Sequence, residues 1–230
     1  MEPLVLIPGM MCDARLFGPQ IAAFSGQRNL HLVSLAHEET IEDIAGAFLR
    51  AAPLRFALAG LSMGGIVAME IMAQAPERVT RLALMDTNPR SESENVAAGR
   101  EPQIARALDG GLKAVMRDEM KPRYLADTPK RDEILDLCME MALGLGEDVF
   151  ARQSRALRDR PDQQETLRGV KVPTLILYGE VDILCPAHRH DLMHDLIPGS
   201  VLRVIEGAGH LPTLEQPAAT NAALSEWLEA

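Results

Sequence analysis

The chain has 230 residues, a hydrophobic share of 47%, an aromatic share of 3% and a formal net charge of -10. That length and apolar content suit one globular domain, with or without an insertion, and argue against global disorder. The acidic balance without a basic run argues against a nucleic-acid partner, and no apolar stretch nears the roughly 18 residues of a membrane span.

Met1-Glu2-Pro3 carries no positive segment and runs straight into an apolar stretch, so no secretory leader is expected. Six short apolar runs read as strands: Leu4 to Ile7, Leu30 to Leu35, Phe56 to Ala59, Leu82 to Met85, Thr174 to Tyr178 and Val201 to Ile205. Most are nearly continuous, as in a parallel sheet covered on both faces. Helical rhythms lie between them at Pro19 to Phe24, Ile41 to Ala51, Gly65 to Ala75, Pro186 to Leu196 and Pro217 to Glu229. The alternation predicts an α/β fold, an open parallel sheet with helices on both sides and active residues at the strands' C-terminal ends.

One stretch breaks the alternation. From about Thr87 to Val170 the pattern is helical only, near Glu94 to Leu108, Leu112 to Tyr124, Arg131 to Leu145 and Gly146 to Arg158. Leu135, Cys138, Met139, Ala142 and Leu143 share an apolar face there. The sheet pattern resumes directly afterwards, so the expected organisation is a core of 1–86 and 171–230 with a helical cap over 87–170. Cys12, Cys138 and Cys185 are odd in number and far apart, which fits a reducing compartment and a cytoplasmic location.

Gly60-Leu61-Ser62-Met63-Gly64 fits G-x-S-x-G between a strand and a helix, the context in which a nucleophilic serine sits on a sharp turn. A serine hydroxyl needs a general base, and the base needs an orienting acid. His210 follows the last strand on the loop Glu206-Gly207-Ala208-Gly209, at the same sheet edge as Ser62. The acid should lie between them in chain order and follow a strand. Asp182 does so and is preferred over Asp86, read as a turn cap before Asn88-Pro89, and over Glu180, read as a turn residue. Oxyanion donors are expected from the backbone of Met63, after the nucleophile, and of Met10, in the loop Ile7-Pro8-Gly9-Met10-Met11.

Other groupings say less. His188, His190, Asp191 and His194 include an i, i+4 pair, but no Glu completes a zinc motif, so a solvated polar helix face is expected and no metal. No phosphate-binding glycine motif is present, and no cofactor is expected. Arg152 or Arg155 could reach an anionic substrate group, although a charged solvated face is the simpler reading.

Together these residues resemble the α/β-hydrolase superfamily. The likeness rests on Pro8-Gly9, on Gly60 to Gly65, on Asp182 with Pro186, and on Gly207-Ala208-Gly209-His210 with Glu215-Gln216-Pro217. Gly-Leu-Ser-Met-Gly-Gly is similar within it to small carboxylesterases and enol-lactonases. Two departures stand out: Pro8-Gly9 replaces the family's His-Gly, and the family's opening hairpin is missing, which implies a compact sheet of about six strands. The resemblance implies an esterase, lactonase or thioesterase acting on a small molecule through Ser62, His210 and Asp182. Acyl transfer, perhydrolysis or C–C cleavage with the same three residues is the alternative, and a non-enzymatic binding protein on the same fold is a third.

Overall fold

The computed structural model describes residues 2–230, so Met1, part of the expected core and of the leader reading, lies outside it. Six strands, β1 (Leu4–Ile7), β2 (Leu30–Leu32), β3 (Phe56–Leu61), β4 (Val79–Met85), β5 (Thr174–Gly179) and β6 (Val201–Ile205), form one sheet in the order β2-β1-β3-β4-β5-β6. All five pairings are parallel. The physical cause is legible in β1, β3 and β5, where every residue is buried. Strand side chains alternate between faces. Val5, Ile7, Leu58, Leu84 and Ile176 accordingly join one core, while Leu4, Leu6, Ala57, Ala59, Leu175 and Leu177 join another on the opposite face.

The first core is covered by α2 (Ile41–Ala51), α3 (Met63–Gln74), α8 (Gln164–Arg168) and α9 (Ala187–Leu196). The second is covered by α1 (Gly18–Phe24) and α11 (Pro217–Glu229), with the short α10 (Pro212–Glu215) beside them. Helix α2 begins where the Thr40 hydroxyl accepts the Asp43 N–H at 3.0 Å, with Glu42 and Asp43 in its first turn. Between β4 and β5 the chain forms α4 (Glu94–Arg106), α5 (Leu112–Ala114), α6 (Arg131–Leu145) and α7 (Glu147–Arg158), with no strand among them. Widened π-type turns flank α5 at Ala107–Gly111 and Val115–Met120. Among the described residues no helix is long and apolar enough to cross a membrane.

Several boundaries differ from expectation. Strand β2 stops at Leu32 rather than Leu35; it is an edge strand paired only with β1, and its residues are not buried. Strand β4 begins at Val79 rather than Leu82, because Val79 pairs with Phe56 and Arg81 with Ala57 despite the arginine's polarity, with Thr80 at an irregularity between them. Helix α3 begins at Met63, directly after the serine.

Candidate active site

Loops after β3, β5 and β6 bring three side chains together at one edge of the sheet. Ser62 follows β3 with φ 56° and ψ -117°, a left-handed conformation that costs roughly 1–3 kcal/mol for a residue with a side chain. Its N–H donates to the Met85 carbonyl at 2.9 Å, and its own carbonyl accepts the Thr87 hydroxyl at 2.7 Å. The neighbouring glycines permit the turn. A Cβ on Gly60 would collide with the Gly64 carbonyl, and a Cβ on Gly64 with the Ile7 carbonyl. Strand and helix therefore cross at a separation that only glycine tolerates.

Ser62 Oγ lies 2.9 Å from His210 Nε2, and His210 Nδ1 lies 2.8 Å from Asp182 Oδ2. Donation by the hydroxyl to Nε2 requires the imidazole proton on Nδ1, where it donates to Asp182. The other Asp182 oxygen accepts the N–H groups of Leu184 and Cys185 at 2.8 and 3.0 Å. Burial pushes this carboxyl up, but the His210 charge and hydrogen bond, with the two N–H groups, bring it below its ordinary value. It stays an ionised acceptor for the imidazole.

The histidine loop is held from two sides. The His210 N–H donates to the Tyr124 carbonyl at 2.6 Å. The buried Glu215 carboxylate accepts from Gly209 and Leu211 at 3.0 Å and from Ala126 at 2.8 Å. Ala126 and Tyr124 lie between β4 and β5, so the helical segment anchors the imidazole.

Met10 and Met63 line the same cavity as Ser62, and among the described residues neither N–H donates to another protein group. The next residue, Met11, has φ 55° and donates its N–H to Gln153 Oε1 at 2.8 Å. Gln153, buried on α7, donates in turn to the Leu35 carbonyl at 3.1 Å. Sequence reading passed over Gln153. Its signal was a polar residue on the same helix face as Phe150 and Leu157, which are both buried.

The rival acids fall elsewhere. Glu180 is exposed and accepts the Gly207 N–H at 3.0 Å, a loop contact away from His210. Asp86 is fully buried at φ 44° and accepts the Gly179 N–H at 2.9 Å through Oδ1; its buried Oδ2 has no protein donor among the described residues. Burial, and then the Asp182 charge, push the Asp86 carboxyl well above the ordinary carboxylate range. Asp86 is thus more than a turn cap. Its carboxyl lies close enough to Asp182 for the two charges to oppose each other.

The histidine cluster corrects one expectation. His190 is not on a solvated face: it is fully buried, stacks on Tyr178 at 4.4 Å between ring centroids, and accepts the Thr87 N–H at Nε2 at 3.2 Å. Burial lowers its pKa to about 4. The helix face was misjudged because α9 packs this position against β5. His188 is exposed, and His194 is half-buried and bonded to Ser200.

A cavity of about 690 Å³ opens over Ser62 and His210. Its far wall comes from the segment between β4 and β5, including Val96, Met120 and Leu157. Arg152 and Arg155 do not line it. Arg152 donates to the Ala36 carbonyl, and Arg155 pairs with Glu101. One trio of possible metal ligands converges among the described residues, Asp182, Cys185 and His210, with ligand atoms within 4.8 Å of one another. Burial raises the Cys185 thiol far above its ordinary value, and Asp182 and His210 already bond each other. That donor set suits a hydrogen-bonded relay better than a cation.

Comparison with known proteins follows this geometry. The "Alpha/beta hydrolase family" matches residues 4–223. A pimeloyl-[acyl-carrier protein] methyl ester esterase of Photobacterium profundum is 28% identical, with 93% of this chain and 89% of that protein aligned. A thermophilic esterase from Thermogutta terrifontis superposes with a TM-score of 0.91 at 27% identity, covering 100% of this chain and 90% of its own. The enol-lactonase from Burkholderia xenovorans LB400 shares the fold at a TM-score of 0.88 and 22% identity, with 100% and 92% covered.

Proposed function

The chain belongs to the alpha/beta hydrolase family, and on that premise we propose that it is a serine hydrolase cleaving a small carboxylic ester, lactone or thioester. The observation that carries the reading is the continuous relay of 2.9 and 2.8 Å from Ser62 through His210 to Asp182, at the floor of a cavity.

Ser62 Oγ attacks the acyl carbon as His210 Nε2 takes its proton. Asp182 holds the imidazole in the required tautomer and stabilises the imidazolium that forms. Negative charge develops on the carbonyl oxygen, where the N–H groups of Met63 and Met10 meet it. The acyl–oxygen or acyl–sulfur bond then breaks, and His210 returns its proton to the leaving group. Water, deprotonated by the same nitrogen, attacks the acyl-serine and frees the acid and Ser62.

We assign residues 87–170 as a cap that shapes the acyl pocket. In support, this segment supplies the far wall of the cavity, while Ser62, Asp182, His210, Met10 and Met63 all lie outside it. Helix α7 also steadies the oxyanion loop through Gln153. The relatives named as esterases and an enol-lactonase favour C–O over C–C cleavage. The test is hydrolysis of a panel of esters, lactones and thioesters, with product analysis in the presence of competing alcohols. Free acid as the main product supports hydrolysis. Transfer to the added alcohol as the main product overturns it in favour of acyl transfer.

A further inference from the structure

The chain as a whole is acidic, but the wall over Ser62 is not. Five arginines line the cavity, Arg100, Arg106, Arg123, Arg160 and Arg189, against two glutamates, which leaves an excess of three positive charges in a protein of net charge -10. Two of the five are poorly hydrated. Arg100 and Arg160 both grip one carboxylate, Glu92: Arg100 through Nε at 2.9 Å and also through Nη2, Arg160 through Nη2 at 3.0 Å. Side-chain exposures in this trio are 13% for Arg100, 7% for Glu92 and 7% for Arg160.

One carboxylate between two guanidiniums leaves a buried positive charge without an anion. Such a charge is costly unless something pairs with it. Arg160 is fixed in place, with Nε on the Arg90 carbonyl at 2.9 Å and Nη1 on the Leu157 carbonyl at 3.3 Å, so it cannot swing out to water. Arg100 keeps Nη1 free of protein acceptors among the described residues. Arg123 is exposed at the rim and makes no ion pair among the described residues, whereas Arg106 is neutralised by Glu119. A guanidinium fork matches a planar carboxylate in two parallel hydrogen bonds.

Building on the hydrolase reading, we propose that the substrate is an ester carrying a second, free carboxylate, which Arg100 and Arg160 hold inside the cavity while Arg123 draws it in from the rim. A cavity of about 690 Å³ accommodates a short dicarboxylic half-ester together with its alcohol. The carboxylate belongs either to the acyl part or to the alcohol part, and the experiment separates the two.

The test uses the full chain and two matched pairs of substrates. Monoethyl adipate against the corresponding adipamic acid ethyl ester places the charge on the acyl side. Acetylated glycolate against acetylated glycolamide places it on the alcohol side. We expect the charged member of one pair to have the higher kcat/KM by about tenfold or more, the usual strength of a charge-assisted contact. Arg100→Gln and the exposed Arg123→Gln should each shrink that ratio, and added salt should shrink it further. A second readout bypasses catalysis: calorimetric binding of adipate to Ser62→Ala protein, weakened at least about tenfold by Arg100→Gln. Equal rates within both pairs and no adipate binding, in a protein that hydrolyses neutral p-nitrophenyl acetate, overturn the carboxylate site and leave the hydrolase reading standing. Adipate binding without turnover of any ester supports the site and overturns the hydrolase reading instead.

Discussion

His190 makes the protein acid-labile in a way that can be calculated. The imidazole is buried between Tyr178 and the Thr87 backbone, and its Nε2 accepts the Thr87 N–H at 3.2 Å. Protonation would place a hydrogen on that accepting nitrogen, facing a donor, and would charge a buried ring. Burial therefore lowers the pKa to about 4 against an ordinary value of 6.5. The unfolded chain takes up this proton at a higher pH than the folded one. The stabilisation is complete above about pH 6.5 and is lost as pH falls towards 4. A shift of that size corresponds to about 3 kcal/mol in all, of which about 2 kcal/mol is gone by pH 5. A domain of this size has a total stability of roughly 5–15 kcal/mol, so the loss is large. His190→Gln keeps an acceptor for Thr87 and removes the titration. Urea unfolding at pH 7, 6, 5 and 4.5 should show the parent losing about 2 kcal/mol more than the variant between pH 7 and 5. Parallel pH profiles for the two proteins would refute the reasoning, whatever their absolute stabilities. Thr87 also holds the Ser62 carbonyl, so the parent's ester turnover should fall at the same acid edge.

Asp182→Asn should cut kcat/KM by about a thousandfold or more, because the imidazole loses its acceptor, whereas Asp86→Asn should stay within a few fold. Because the Asp86 pKa is raised, its contribution to stability is present below the ordinary carboxylate pKa and is lost as pH rises through its raised value. Asp86→Asn should accordingly flatten that decline in stability, and equal pH profiles would count against a raised Asp86 pKa. Gln153→Leu should lower kcat by about ten- to a hundredfold with a smaller change in KM, since it frees the loop bearing Met10; an unchanged kcat removes Gln153 from the account. Gly64→Ala should destabilise the protein by several kcal/mol or prevent folding, because its Cβ collides with the Ile7 carbonyl, and a parent-like thermal melt contradicts that packing.

The parts of the fold and site that could be read from sequence are those fixed by local chemistry. Continuous apolar runs marked β1, β3 and β5 because period and burial are local properties. Ser62, Asp182 and His210 stood out because a strained turn and glycine-rich loops leave a signature in neighbouring residues. What failed depended on distant partners. Val79 and Arg81 belong to β4 only because β3 lies alongside, and His190 is buried only because α9 settles on β5. Gln153 gained its role from Met11, 142 residues away in the chain. The arginines of the cavity were likewise invisible: Arg152 and Arg155 sit in the same cationic run as Arg158, while Arg100 and Arg160 reach the cavity from either side of it.

In the proposed reaction Ser62 is the nucleophile of an acyl-enzyme hydrolase, positioned by His210 and Asp182. The most direct measurement is mass spectrometry of the protein after reaction with a fluorophosphonate, beside ester turnover by Ser62→Ala. The expected result is one adduct on the peptide containing Ser62, loss of turnover in step with labelling, and at least about a thousandfold loss in the folded Ser62→Ala variant. Labelling at a different serine, or an active protein that the probe leaves unmodified, would contradict it.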